Sequence, residues 1–306
     1  MRSPRRVLAT AAVAAVSALL LTACGGDGGT PNALALADGG GSPQPSGIVK
    51  VDSVAALLPR EIASRGTLIV GSDTTYAPAE YLDEDGITPV GYDVDVAKAI
   101  ATVLGLTADV RTADFSSIIP GVGTEYDVGI SSFTINAERM EQVNMVQYLE
   151  AGEAFAVEKG NPQGISHDDL CGATVALQAG TIQEEEVGTL SEECESAGKK
   201  AIRRLAYDSQ TAATTALIDG KADVMYADSP IIAYAVQTSD RLEQLGEAFA
   251  TAPQGIAVSK DDEALTAAIQ AAVQHLIDTG AYGRVLTGWS VSASEVATAE
   301  LNPSAS

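Results

Sequence analysis

The 306-residue sequence is poor in basic side chains, in histidine and in cysteine. It has 18 lysines and arginines against 41 aspartates and glutamates, so its formal net charge at pH 7 is −23. An acidic surplus disfavours contact with phosphate backbones and anionic lipid, so we expect no nucleic-acid partner. Two histidines and three cysteines are too few for most metal sites, and we predict neither a metal nor another cofactor.

Common catalytic motifs are missing as well. No GxSxG, HExxH, P-loop or GxGxxG motif occurs between a strand and a helix, where these motifs act. The stretch LDEDG begins like a calcium loop at Asp83, but its twelfth position is Val94 instead of glutamate. A β-turn is the better interpretation of LDEDG. We therefore assign no catalytic residue.

The N-terminus, in contrast, carries a clear export signal. Residues 1–6, MRSPRR, hold three arginines, and residues 7–23 form an apolar run too short to span a membrane, which takes about 20 residues. We predict a signal peptide over residues 1–23. The run ends in Leu-Thr-Ala-Cys, which resembles a bacterial lipobox, so we expect lipid on Cys24; a buried cysteine near a membrane helix is the alternative.

Export places the rest of the chain outside the cell. Residues 24–53 are rich in glycine, proline, serine and alanine, and we interpret them as the lipidated cysteine followed by a flexible tether. The protein is then extracytoplasmic, on the outer face of the cell membrane and joined to it through the lipid anchor only. In an oxidising compartment the remaining cysteines, Cys171 and Cys194, are expected to form a disulfide.

From residue 65 onward, short β-branched runs alternate with amphipathic stretches. This alternation predicts an α/β fold with a parallel sheet. The predicted strands cover residues 67–71, 107–112, 126–131, 153–159, 174–180, 201–207, 222–228 and 255–260. The predicted helices cover residues 94–106, 136–143, 181–198, 208–220, 229–238 and 261–280.

Polar side chains follow several of these strands, where open α/β sheets bind ligands. Together they suit a free amino acid, which needs an anion site, a cation site and a side-chain slot. Arg139 and the backbone amides of residues 181–183 at a helix N-terminus can hold the carboxylate. Asp228 can hold the ammonium group, and Tyr76 and Phe115 can flank the side chain. The candidate residues from this reasoning are Asp73, Tyr76, Phe115, Ser131, Ser132, Thr134, Arg139, Thr181, Ile182, Gln183 and Asp228.

The chain resembles the extracytoplasmic solute-binding protein family 3, whose members deliver polar amino acids to ABC importers. The matching stretches occur in family order between residues 65 and 289. They are GTLIVGSDTTYAPAE, GYDVDVAKAIATVLGL, DFSSIIPGV, YDVGISSFTINAERMEQV, VALQAGTIQEEE, ALIDGKADVMYADSP and LIDTGAYGRVLTGW.

The resemblance implies a two-lobe, type II periplasmic-binding-protein-like fold with the ligand in the cleft between the lobes. Lobe 1 would be discontinuous, over residues 54–155 and 260–306, and lobe 2 would cover residues 161–251. Residues 156–160 and 252–259 would be the hinge crossovers. The lobes would close on the ligand by hinge motion.

The resemblance also assigns roles to single residues. The aromatic slot falls on Tyr76 and Phe115, the carboxylate arginine on Arg139, and the amine-binding acid on Asp228. Asp73 and Gln178 fall on positions that read the ligand side chain. Other roles remain open, since Arg139 could be a surface helix residue, Asp228 could be only a helix cap, and both aromatic residues could be core.

The substrate expected from these residues is a polar L-amino acid. Asp73 adds a second carboxylate, which favours a basic amino acid or glutamine over glutamate. Ala79 stands where the family has phenylalanine, which removes a ring near the rim of the pocket. The expected partners are an ABC permease and ATPase complex, and we expect a monomer that is not an enzyme. A solute sensor or interaction lipoprotein and a dehydratase-like enzyme on the same fold are the alternatives.

Overall fold

The computed structural model describes residues 47–304. The strands are β1 (Thr67–Ser72), β2 (Thr75–Tyr76), β3 (Glu80–Leu82), β4 (Pro89–Val90), β5 (Thr107–Thr112), β6 (Val128–Gly129), β7 (Val143–Glu158), β8 (Thr174–Gln178), β9 (Arg203–Tyr207), β10 (Val224–Asp228) and β11 (Leu242–Ser259). The helices are α1 (Asp52–Ala55), α2 (Arg60–Arg65), α3 (Tyr92–Leu104), α4 (Phe115–Gly121), α5 (Ala137–Gln142), α6 (Ile182–Ser196), α7 (Gln210–Ile218), α8 (Ser229–Thr238), α9 (Glu263–Asp278) and α10 (Ala281–Gly288), followed by a 3-10 turn, Ser292–Ser294.

An eight-stranded sheet runs through the molecule in the order β5-β1-β6-β11-β7-β10-β8-β9. β1 pairs in parallel with β5 and β6, and β8 pairs in parallel with β9 and β10. β7 and β11 run antiparallel to each other and to the strands beside them. The predicted α/β class is confirmed, but the sheet is mixed, because the two central strands run against the parallel strands on either side.

β7 and β11 are much longer than the sequence predicted. They pair from Val143 opposite Ser259 to Glu158 opposite Leu242, with three irregularities in register. The last part of β11 also pairs with β6, and the last part of β7 also pairs with β10. Each long strand therefore contributes one half to each of two groups of strands, and the fold is the two-lobe, type II architecture. The predicted lobe and crossover boundaries stay predictions.

The first helix of the parallel α/β unit, α3, is held close to the strand hairpin before it. Gly91, directly before α3, has φ of 131°, and a Cβ there would lie 2.1 Å from the Ala79 carbonyl oxygen. That oxygen accepts a hydrogen bond from the Asp93 backbone nitrogen at 2.9 Å. A glycine at position 91 thus lets the first turn of α3 pack directly behind Glu80.

The N-terminal predictions fall mainly outside the described residues. The signal peptide, Cys24 and residues 24–46 of the tether lie there. Of the remaining tether residues, Val51 donates its backbone N–H to the Val103 carbonyl at 2.9 Å. Among the helices between residues 47 and 304, none has the length and apolar character needed to cross a membrane.

The predicted disulfide between Cys171 and Cys194 is confirmed. Its Cα atoms lie 5.6 Å apart, and it joins the segment before β8 to helix α6. Cys194 is buried in the small hydrophobic cluster of this lobe, next to Val187 and Leu170. The bond closes a loop across a sequence separation of 23 residues, and so restricts the unfolded chain.

Replacing both cysteines with alanine is expected to lower the free energy of unfolding by about 3 kcal/mol, because the unfolded chain regains the freedom of that loop. Denaturant unfolding of the oxidised protein and of the variant measures the difference. The wild-type protein under reducing conditions is the matched control and should lose a similar amount. Equal stability of all three samples would contradict a stabilising role.

Candidate functional site

Nearly all the residues singled out in the sequence meet at one small cavity. Its free volume is about 10 Å³, about enough for a single water molecule. Its lining is made of Tyr76, Phe115, Ser131, Ser132, Thr134, Arg139, Gln178, Thr181, Ile182, Gln183 and Asp228. Asp73 is not part of the lining, but it is 2% exposed and hydrogen-bonds to Gln178.

Many of the residues in and beside the cavity come together because they end or follow strands of the eight-stranded sheet. Asp73 follows β1, Ser131 follows β6, and Gln178 and Asp228 are the last residues of β8 and β10. Thr181 is the N-cap of α6, where its hydroxyl accepts a hydrogen bond from the Glu184 backbone nitrogen at 3.3 Å. Loops at these strand ends therefore supply the site, as in other open α/β sheets.

Arg139 supplies the positive charge of the site. Its guanidinium donates to the carbonyl oxygens of Thr134 at 2.8 Å and of Gly180 at 3.4 Å. It lies 5.5 Å from the centroid of the Phe115 ring and 5.6 Å from that of Phe133. Burial lowers the pKa of Arg139, but a guanidinium stays charged in proteins. Arg139 is therefore a partly buried cation in contact with aromatic rings, not a solvated surface residue.

Asp228 supplies a negative charge to the same cavity. Its two carboxylate oxygens accept hydrogen bonds from Gln183 Nε2 at 2.9 Å and Gln254 Nε2 at 2.7 Å. Its backbone nitrogen donates to the Tyr76 hydroxyl at 3.1 Å. The Asp228 side chain makes no capping hydrogen bond to α8. Burial raises the pKa of Asp228 to about 6, against the lowering effect of its hydrogen bonds.

Asp73 and Gln178 connect the two lobes beside the cavity. Gln178 Nε2 donates to the Asp73 carboxylate and also to the Asp208 carbonyl oxygen at 3.3 Å. Asp73 Oδ1 accepts from the Thr75 backbone nitrogen at 3.1 Å. Burial raises the pKa of Asp73. A ligand that reaches this end of the cavity meets a carboxylate and a primary amide.

Two buried residues beside the cavity, Gln254 and Glu153, were not predicted from the sequence. Gln254 is 1% exposed, and its Oε1 has no hydrogen-bond partner among the described residues. Glu153 is 2% exposed and pairs opposite Asp228 across β7 and β10. Each is a polar residue beside an apolar strand segment, Glu153 in EAFAVE and Gln254 in PQGIAVS, and this pattern could have indicated both residues. Phe133 is buried in the core at 1% exposure and also contacts Arg139.

Comparison with known proteins agrees with this architecture. The profile of the bacterial extracellular solute-binding proteins, family 3, matches residues 68–292. The chain belongs to this family. The family prediction made from the sequence motifs is therefore confirmed.

Individual relatives fall within the same family. The arginine-binding protein ArgT of Corynebacterium glutamicum is 39% identical over 245 residues, which cover 79% of this chain and 80% of ArgT. An ancestral arginine-binding protein, solved with arginine and with glutamine bound, is 35% identical with a TM-score of 0.67 and covers 74% of this chain. In those two structures the match covers 98% and 99% of the ancestral chain.

A third relative bears on the alternative that the protein is a dehydratase-like enzyme. It is the ancestral amino acid-binding protein AncCDT-1, described as a precursor of cyclohexadienyl dehydratase. It is 29% identical, with a TM-score of 0.68, and the match covers 75% of this chain and 97% of AncCDT-1.

Glu153 lies in a cluster of acids next to Asp228. Its carboxylate accepts from Gln183 Nε2 at 3.2 Å and from the Tyr226 hydroxyl, which also contacts Glu186. One hydroxyl has a single hydrogen and cannot donate to both carboxylates. Burial, together with the nearby Glu186 carboxylate, raises the pKa of Glu153 to about 8. Glu153 is thus largely protonated in the folded protein at neutral pH.

This raised pKa predicts a pH-dependent stability. Between its ordinary value of 4.5 and about 8, the native state holds a proton on Glu153 that the unfolded state has released, so the free energy of unfolding falls as pH rises. We expect Glu153→Gln to remove this loss, which is on the order of 4 kcal/mol. Denaturant unfolding at pH 5 and pH 8.5 measures it. Glu158→Gln, at the exposed end of β7, is the control, and equal pH dependence in both variants would refute the assignment.

Proposed function

We propose that the protein is the extracytoplasmic substrate-binding component of an ABC importer, and that it captures a polar L-amino acid, with basic amino acids and glutamine favoured. One observation carries this proposal: a partly buried arginine, Arg139, and a buried aspartate, Asp228, line the same small cavity. A free amino acid carries the opposite pair of charges. Family membership and the names of the relatives point to the same class of ligand.

The charges of the cavity suit both ends of an amino acid backbone. Arg139 offers a planar set of donors, which suits a carboxylate that accepts two hydrogen bonds. Asp228 offers oxygen acceptors. The amide nitrogen of Gln183 donates to the carboxylates of Glu153 and Asp228, so its amide oxygen points away from both. Ser131 and Ser132 complete this corner. The ammonium group of the ligand would be held there.

The far end of the cavity favours a cationic or amide side chain. Gln178 lines that end and donates a hydrogen bond to Asp73; this hydrogen bond would be replaced by bonds to the ligand side chain. A ligand carboxylate at this end would meet Asp73, which is unfavourable in a buried site. Arginine is the leading substrate because relatives at 39% and 35% identity are named for it. Glutamine comes next, since it is bound in one of those relatives.

Capture requires the lobes to open, because the cavity has room for about one water molecule. Hydrogen bonds that would have to break join Asp73 to Gln178, Tyr76 to Asp228, and Thr75 to Gln210 at 3.2 Å. A ligand shifts this equilibrium toward closure only if it binds the closed state more tightly. The proposed hinge consists of the crossovers at residues 156–160 and 252–259, between lobe 1 (54–155 and 260–306) and lobe 2 (161–251).

The proposed location follows from the N-terminus. A signal peptide over residues 1–23, lipid on Cys24 and a tether to residue 53 would keep a monomer at the outer face of the membrane. From there it would deliver its ligand to the permease and ATPase complex. A dehydratase would need a buried general acid. The buried acids that could serve, Asp73, Glu80 and Glu153, all lie outside the cavity lining, so binding is favoured over catalysis.

Calorimetric titration tests the ligand ranking. We expect micromolar or tighter binding of arginine, which corresponds to about 8 kcal/mol or more. Lysine, histidine and glutamine should bind more weakly, and glutamate weakest of all, because Asp73 and a ligand carboxylate would be buried together. Tight glutamate binding without binding of arginine, lysine, histidine or glutamine would overturn the ranking. No binding of any amino acid would overturn the proposed function.

Removal of either cavity charge should weaken binding sharply. Arg139→Ala and Asp228→Ala are each expected to cost about 2–5 kcal/mol in binding free energy, because each leaves one ligand charge buried without a partner. Titration with arginine measures the loss. Arg60→Ala and Asp168→Asn, at exposed positions, are the controls and should bind like the wild type. A loss below tenfold in both cavity variants would exclude this site.

A further inference from the structure

Two carboxyl groups are completely buried directly behind the serines of the cavity. Glu80, in β3, and Asp93, in the first turn of α3, are each 0% exposed. The close approach of α3 to the Ala79 carbonyl, which Gly91 permits, brings their side chains into hydrogen-bonding contact. Neither residue lines the cavity. No arginine or lysine is among the partners of this pair in the described part of the chain.

Asp93 is surrounded by donors. Its Oδ1 accepts from the Tyr148 hydroxyl at 2.6 Å, and its Oδ2 accepts from the Ser132 backbone nitrogen at 2.7 Å and from Ser132 Oγ at 3.1 Å. Several hydrogen bonds to a buried carboxylate stabilise its ionised form. The negative charge of the pair therefore belongs on Asp93.

Glu80 has the opposite environment. Its Oε1 accepts from Ser131 Oγ at 2.6 Å, but its Oε2 is buried with no donor near it among residues 47–304. The Asp93 carboxylate, which is in hydrogen-bonding contact with the Glu80 side chain, can only accept when it is ionised. Two ionised carboxylates in contact in a buried site repel strongly, and a proton on Glu80 Oε2 converts the repulsion into a hydrogen bond. That proton also satisfies the orphaned oxygen.

We propose that Glu80 is uncharged and shares its proton with Asp93, and that this pair positions Ser131 and Ser132 so that both serine oxygens accept hydrogen bonds from a cationic ligand. The proposal rests on the proposed function and names a device within the same site. Burial and the Asp93 charge, in that order, raise the pKa of Glu80 well above its usual range, in agreement with the geometry.

The hydroxyl groups of Ser131 and Ser132 each have one hydrogen, and its partner determines what each serine offers to a ligand. Ser131 uses its one hydroxyl hydrogen on Glu80 and accepts from the Asp73 backbone nitrogen at 3.1 Å, so one lone pair remains. Ser132 uses its hydrogen on Asp93, and the Tyr92 hydroxyl, 3.4 Å away, is left as a donor to it. Both hydroxyls then present only acceptors to a ligand.

The pair also holds the backbone of Ser132 in an unusual conformation. Ser132 has φ of 47°, in the left-handed region that disfavours residues with a side chain. The hydrogen bond from its backbone nitrogen to Asp93 stabilises this conformation. A change in the charge of the pair would therefore alter the position of Ser132 as well as its hydroxyl.

Other titratable groups face Glu80 besides Asp93. Asp73 adds a negative charge that disfavours ionisation of Glu80, and the hydroxyls of Tyr76, Tyr92 and Tyr148 lie in the same buried region. Burial raises the pKa of each of these three tyrosines well above 10, so they stay neutral.

Glu80→Gln tests the proposal, because glutamine imitates a protonated glutamate: its amide can donate to Asp93 and accept from Ser131. We expect this variant to bind arginine within about threefold of the wild type, whereas Glu80→Ala should weaken binding at least about tenfold through loss of the serine contacts. Toward alkaline pH, wild-type affinity should fall relative to that of Glu80→Gln as Glu80 loses its proton. The ratio of the two affinities removes the pH effects of ligand titration and of Glu153 titration, because both are shared by the two proteins.

A measurement without ligand separates this inference from the proposed function. Because Glu153 is also protonated and buried at pH 7, infrared spectra are taken of Glu153→Gln with labelled glutamate: they should show the C=O stretch of a buried protonated carboxyl at pH 7, and the double variant Glu153→Gln/Glu80→Gln should lack it. Absence of that band in Glu153→Gln, or equal losses of arginine binding in Glu80→Gln and Glu80→Ala, would overturn the inference. If the band is present but no amino acid binds, only the proposed function fails.

Discussion

The pairing of β7 with β11 at the centre of the sheet holds the two groups of parallel strands together. These two strands hydrogen-bond to each other over most of their length; the last part of β11 also pairs with β6 of one group of parallel strands, and the last part of β7 also pairs with β10 of the other. The strand ends that carry Asp73 and Ser131 are thereby set opposite those that carry Gln178 and Asp228. A cavity between two lobes follows from this pairing, because the chain passes between the lobes along the same two strands.

The cavity and its surroundings hold many more acids than bases. Asp73, Glu80, Asp93, Glu153 and Asp228 are all buried, and among residues 47–304 Arg139 is the one cation that lines the cavity. Burial without a cation raises the pKa of each of these acids, which costs stability near neutral pH. Such a cost is common at binding sites, since the free protein is left with charges that a ligand would complement.

The acids are divided between two tasks. Asp228 contacts the cavity and keeps enough hydrogen bonds to remain charged near neutral pH, so it can meet a cation. Glu80 and Glu153 lie one layer behind, where a proton on each removes charge from the interior and leaves hydrogen-bonded contacts to Ser131 and Gln183. Asp228 thus provides charge at the cavity, and Glu80 and Glu153 behind it orient Ser131 and Gln183.

The sequence alone was enough to predict the α/β class, the family, the disulfide and the residues that line the cavity. It could do so because strand-end loops have local signals, such as glycine, serine and aspartate after β-branched runs, and because these residues keep their order along the chain. The tertiary structure alone decided the length of β7 and β11, the antiparallel centre of the sheet and the proximity of Glu80 to Asp93. These features depend on contacts between residues far apart in the chain and on which buried oxygen has a hydrogen-bond donor nearby. No local sequence pattern predicts either of them.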